Sequence, residues 1–255
     1  MGFVDVVMAV TQLHDVIYIV CVGSSTIRRF NATTHKELEV ITVNLYLPRD
    51  IVACEITSRL YVVDEKKVSR VSPDGAYIES WRPDPGFNPR SLSVKAGRLL
   101  VTLRSHSANE LIQFDADKEE LRRVKLSRDM VPHHAVESPT GTFIVNHWNW
   151  QLGQYKVSEV DTDGRVLRQF TISTIEPSES SRYIAVDSRG NIFVADPHNG
   201  CVLLLDDRLS LPRLIIDAQQ MPYMFRPEQL CYVERSGQLL VVSDTSVTVY
   251  DVLRC

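Results

Sequence analysis

Long apolar runs are missing from this chain of 255 residues, and so is a strong excess of either charge sign. No uninterrupted apolar stretch approaches the ~20 residues that a membrane-spanning helix needs, so none is expected. Lys and Arg number 28 against 32 Asp and Glu, a formal net charge of −4. Bulk charge therefore gives no reason to expect nucleic acid or an anionic bilayer, and such binding would need a local basic patch. The opening MGFVDVVMAV has no basic n-region and is interrupted by Asp5, which argues against a secretory leader. Gly2 invites N-myristoylation, but Val6 stands where that motif needs Ser or Thr.

Catalytic signatures are absent too. There is no Gly-rich phosphate loop, no G-x-S-x-G elbow and no H-E-x-x-H pair. The five cysteines (Cys21, Cys54, Cys201, Cys231 and Cys255) are odd in number and form no C-x-x-C pair. Four of them lie in or beside apolar runs. They are expected as buried free thiols of a reducing compartment, with the cytoplasm as the address.

What is present is a repeat. Units open at PRDIVACE (Pro48), PRSLSVK (Pro89), PHHAVES (Pro132), SRYIAVD (Ser181) and PEQLCYV (Pro227). A sixth, earlier unit fits the frame from Asp5. The first apolar residues, Val6, Ile51, Leu92, Ala135, Ile184 and Leu230, are spaced 41 to 49 residues apart. That period signals propeller blades or helical-pair solenoids. The units hold short β-branched runs split by turn pairs such as Asp74-Gly75, Asp163-Gly164 and Gly190-Asn191, and none carries a helical apolar stripe. The expectation is an all-β, six-bladed β-propeller of four-stranded antiparallel blades. One domain is expected, with blades over 5–43, 48–81, 89–126, 132–170, 181–216 and 227–252, the last incomplete.

The phrase SRYIAVDSRGNIFVADPHNGCVLLLD resembles an NHL repeat: an apolar-x-Val-Asp opening, a Gly turn, an apolar run ending in Asp, then a third strand. DIVACEITSRLYVVDEKKVSRVSPDG and QLCYVERSGQLLVVSDTSVTVYDV resemble it more loosely. The resemblance implies kinship with the C-terminal propellers of tripartite-motif and Brat-like proteins, which bind protein or single-stranded RNA. It implies a substrate-recognition part of a RING-type ubiquitin ligase system. No RING-like or B-box-like spacing occurs here, so ligase chemistry would lie outside this chain. The last blade has three predicted strands, and only Met1–Val4 precede the first. Its outer position should be empty or hold a very short pairing, as in an excerpted propeller.

The repeat also sorts residues by face. The start of an inner strand and the turn between second and third strands share one side of the ring, here called the upper face. The column at the strand starts reads Arg49, Arg90, His133, Arg182 and Glu228, with Val4 as its counterpart in blade one. The upper turns contain Lys66-Lys67, Arg104-Ser105-His106, His147-Trp148-Asn149-Trp150 and Asp196-Pro197-His198-Asn199. Arg49, Arg90, Arg182, Arg104, His133, His147, His198, Trp148 and Trp150 are the candidate partner-binding residues. Exposed Trp marks contact surfaces, and Arg pairs with anions. The bland alternatives are rim charges paired with turn carboxylates and tryptophans folded inward. Asp64, Asp196 and Asp244 read as turn-capping carboxylates rather than acids or metal ligands. Protein is placed first as partner and single-stranded RNA second, with no membrane, catalytic residue, metal or cofactor. The alternative is a metal-dependent propeller hydrolase or lyase with His133, His147 and His198 as imidazole ligands.

Overall fold

A computed structural model describes residues 1–2, 5–105, 108–173, 183–210, 212–217 and 226–252. Six antiparallel sheets follow one another along the chain. Blade one holds β1 (Val7–Leu13), β2 (Val16–Cys21), β3 (Thr26–Asn31) and β4 (Glu37–Thr42). Blade two holds β5 (Asp50–Cys54), β6 (Arg59–Val63), β7 (Val68–Val71) and β8 (Ile78–Trp81). Blade three holds β9 (Asn88–Lys95), β10 (Arg98–Arg104), β11 (Asn109–Phe114) and β12 (Glu120–Lys125). Blade four holds β13 (Met130–Glu137), β14 (Phe143–Asn149), β15 (Gln154–Val160) and β16 (Val166–Ser173). Blade five holds β17 (Ile184–Val186), β18 (Ile192–Asp196), β19 (Cys201–Leu205) and β20 (Arg213–Ile216). Among the described residues, blade six has three strands, β21 (Gln229–Val233), β22 (Gln238–Ser243) and β23 (Ser246–Asp251). The fold is the expected six-bladed β-propeller.

Burial explains the strand types. The second strand of a blade packs on both faces, so it reads as a continuous apolar run: Leu239, Leu240, Val241 and Val242 of β22 are all fully buried. The outer strands meet solvent on one face, and β8 alternates accordingly, with Ile78 and Ser80 exposed and Glu79 and Trp81 half-buried. Turns between third and fourth strands share a chemical cause. The carboxylates of Asp115, Asp161 and Asp206 each accept backbone N–H bonds from residues two and four further on.

Six apolar clusters lie between neighbouring blades, one per junction, and the cluster of Val10, Ile17, Leu240 and Val242 joins blade six to blade one. Polar side chains stitch the inner strands across the same junctions. Asp50 accepts the Leu92 N–H at 2.8 Å. The Gln229 amide accepts from the Val10 N–H and donates to the Val10 carbonyl, both at 3.2 Å. His134 stands 3.0 Å from the Leu92 carbonyl and accepts the Ile184 N–H at 3.4 Å. That one ring therefore links blades three, four and five.

Strand register corrects the phase of blade one. Ile51, Leu92, Ala135, Ile184 and Leu230 pair with Val62, Val101, Val145, Val194 and Val241. Their equivalent in blade one is Val10, paired with Ile19, rather than Val6. Val6 is 43% exposed and precedes β1. Both valines follow the same alternation in DVVMAVTQL, so periodicity could not separate them. More chain thus precedes β1 than Met1–Val4. Met1 exchanges two backbone bonds with Val247 at 2.8 and 3.0 Å, and Gly2 bridges Ser246. This is the very short pairing expected at the outer edge of blade six.

Candidate functional site

The corrected register puts Met8, not Val4, in the column with Arg49, Arg90, His133 and Glu228 around the upper mouth of the ring. Arg182 and His106 lie outside the described residues. Arg49 has one carboxylate near it, Glu65 at 3.5 Å. Arg90 has no hydrogen bond or ion pair to a carboxylate among the described residues. Burial, and the guanidiniums of Arg49 and Arg104 beside it, push its pKa down to about 10. The Nε atoms of both Arg49 and Arg90 are buried without a hydrogen-bond partner. A buried donor in that state costs about 1–3 kcal/mol.

Next to this mouth, between blades three and four, an open cleft of about 830 Å³ is lined by Asn88, Arg90, Arg104, Asn109, Arg128 and Trp150 among others. Arg104 ends β10, and Arg128 precedes β13. Trp150 follows β14 in the 150–153 turn and is 57% exposed, its Nε1–H donating to the Arg128 carbonyl at 3.1 Å. The turn is shaped by Asn149, which donates to Asp129 at 2.6 Å and accepts the Leu152 N–H at 2.9 Å. Asn109 donates to the Met130 carbonyl and leaves its own buried Oδ1 without a donor. The fold therefore gathers Arg90, Arg104 and Trp150 in one cleft and adds Arg128, which the repeat columns had passed over. Arg128 lies in the connection between blades, and only the fact that every such connection ends on the upper face could have flagged it.

Other candidates fall elsewhere. His147 is not in an exposed turn: β14 runs through Asn149, and His147 is buried within it, 2.9 Å from Ser158 Oγ. Burial lowers its pKa to about 4, and nearby Lys156 acts in the same direction. Trp148 is also a strand residue, its ring 4.7 Å from that of Tyr155. His133 is half-buried, 5.6 Å from the same Tyr155 ring. His198 is exposed in the turn after β18. The three histidines considered for a metal thus occupy an inner-strand start, a strand interior and a separate blade's turn. Among the described residues, no three His, Cys, Asp or Glu side chains are grouped so as to hold a metal ion. Asp64 and Asp196 serve their turns, accepting from Lys66, Lys67 and Tyr46 and from Asn199.

The axis itself is crossed. Tyr183, in blade five, is buried, and its hydroxyl reaches the Arg49 carbonyl of the opposite blade two at 3.3 Å. Its ring lies 4.6 Å from that of His134. Below it, a cavity of about 240 Å³ is lined by Thr11, Gln12, Glu55, His134, Cys231 and Glu234 among others.

No protein-family profile and no curated protein sequence matches the chain. Solved structures do resemble it. A gluconolactonase from Xanthomonas campestris matches with a TM-score of 0.74 at 10% identity, over 97% of this chain and 86% of that one. A nidogen/laminin complex matches with a TM-score of 0.68 at 14% identity, over 88% and 84%. A luciferin-regenerating enzyme matches with a TM-score of 0.67 at 15% identity, over 95% and 85%. Identities this low carry the fold alone, and the class they define is the propeller. Its members include enzymes and binding proteins alike, so function has to be argued from the site.

Proposed function

We propose that this propeller is a recognition module without chemistry of its own, binding an anionic segment of a protein partner across its upper face. One observation carries the reading. Arg49, Arg90, Arg104 and Arg128 stand at one mouth and its adjoining cleft, with Glu65 their single ion-pair partner among the described residues. Uncompensated guanidiniums beside an exposed Trp are suited to anion capture, because Arg donates in a fixed fork and Trp supplies apolar contact. The NHL-like phrasing supports the finer reading of a cytoplasmic, tripartite-motif-like domain acting as the substrate-recognition part of a ubiquitin ligase system. Single-stranded RNA is the second partner class for the same face.

The test reverses two exposed charges, Arg104→Glu with Arg128→Glu, and titrates both proteins against polyglutamate and oligouridylate by fluorescence anisotropy. Polyglutamate should bind the native protein more tightly, and the variant should lose about tenfold or more. Preference for oligouridylate, with steep salt dependence, moves the reading to RNA. Turnover of lactones on adding calcium or zinc would replace it with the enzyme alternative.

A further inference from the structure

We infer that the anion seated at this mouth is a phosphomonoester, carried on a Ser or Thr of an extended partner segment; the inference rests on the recognition reading above and narrows it. Charge balance comes first. Four guanidiniums face one ion-paired carboxylate, Glu65, and Asp129 nearby keeps its charge because its partners are neutral, which leaves an excess of about two positive charges. Asp129 accepts from Ser127 and Asn149, and Asp84 accepts from Arg123 and the Gly86 N–H. A single partner carboxylate would leave about half of that excess unanswered, whereas a phosphomonoester brings a charge of about −1.5 to −2 on three acceptor oxygens.

Donor geometry points the same way. Arg49 and Arg90 open the inner strands of adjacent blades, and the charges of Arg49 and Arg104 both act on Arg90, so an anion seated among them answers guanidiniums from more than one direction. A tetrahedral phosphate does this more readily than a planar carboxylate. The remaining cleft fits a polypeptide: the exposed Asn88 side chain offers a donor and an acceptor to a peptide backbone, and Trp150 offers an apolar wall to a flanking side chain.

A polyanionic strand fits less well. Among the described residues, the arginines of this mouth and cleft belong to blades two to four, while Glu228 and Asp244 stand on the upper face of blade six beside Arg226. Burial raises the Glu228 pKa, and the Asp244 charge beside it acts in the same direction. A nucleic acid tracking around the ring would leave the arginines and meet carboxylates, where sequence-tolerant strand binding needs a continuous basic groove.

The experiment uses the whole chain and a degenerate peptide library with one fixed phosphothreonine, beside matched libraries carrying Thr or Glu there and oligouridylate. Affinities are read by fluorescence anisotropy. The phosphorylated library should bind about tenfold or more tighter than the Glu library, and Arg104→Gln or Arg128→Gln should each weaken it about tenfold. Both side chains are exposed, and an unchanged melting temperature will verify that each variant folds. Equal binding of the phosphorylated and Glu libraries overturns the phosphate assignment and leaves recognition of an acidic partner standing. Binding of oligouridylate alone overturns the assignment in favour of RNA. Phosphopeptide binding indifferent to both arginines overturns the site, and no binding to any probe overturns the recognition reading as well.

Discussion

Because His134 accepts the Ile184 N–H at Nδ1, its proton is on Nε2, donating to the Leu92 carbonyl, and only the neutral ring satisfies both neighbours. Burial lowers its pKa to about 4, as it does for His147. Unfolded, both take up a proton near pH 6.5, so their contribution is complete above that value and is lost as pH falls toward 4. Asp50 works the other way. Its burial raises its pKa to about 8, so its contribution is complete below the ordinary value of 3.8 and is lost as pH rises to 8. Two histidines against one carboxylate leave a net loss of about 1 kcal/mol per pH unit on the acid side, and the lone carboxylate gives a similar slope toward pH 8. Melting temperature should therefore peak near pH 6.5. His134→Gln, which keeps a donor and an acceptor, should soften the acid limb, and Asp50→Asn should flatten the alkaline one. An unchanged alkaline limb in Asp50→Asn would mean that the native carboxylate is already ionised at neutral pH. None of these roles was legible from residue type: His134 sits beside His133 in the sequence, yet it bridges strands and His133 faces the rim.

At the scale of the element, the β15–β16 turn brings two blades together. Gly164 has φ +84°, and a Cβ there would lie 2.1 Å from the Lys125 carbonyl oxygen of blade three. Gly141 has the same φ but no heavy atom within 4 Å of its Cβ position. Gly141→Ala should cost only the left-handed backbone penalty, about 1 kcal/mol, while Gly164→Ala should cost about 3 kcal/mol or more. Chemical denaturation of the two variants separates conformational strain from steric contact. Equal losses would show that the turn shifts freely away from blade three. The Asp-Gly pair made this turn readable in the sequence, but its contact with a distant backbone carbonyl was not. Strand ends were similarly hard to read. The repeat frame put His147 and Trp148 in a turn, but β14 continues past them because His147 finds Ser158 and Trp148 finds Tyr155 on the neighbouring strand.

Across the whole molecule, the fold class was plain because the blades repeat an apolar second strand, and three of them repeat an Asp-capped turn between third and fourth strands. The phase of blade one was not, because Val6 and Val10 satisfy the same alternation. Part of the site was legible as columns, Arg90 and Arg104 among them, while Arg128 entered only through three-dimensional closure. That closure depends on residues far apart in sequence, since Gln229 satisfies both backbone groups of Val10. Gln229→Ala would leave both unmet in a buried junction, a loss of about 2–4 kcal/mol. The denaturation midpoint should fall with an unchanged m-value. A second transition in that variant would show that blades can unfold separately once the junction is weakened. Tyr183 gives the ring a different character. A side chain spanning from blade five to blade two puts a bar across the axis. A ligand held by the arginines and a solute in the lower cavity stand on opposite sides of that bar, so the two ends of the axis offer separate surfaces.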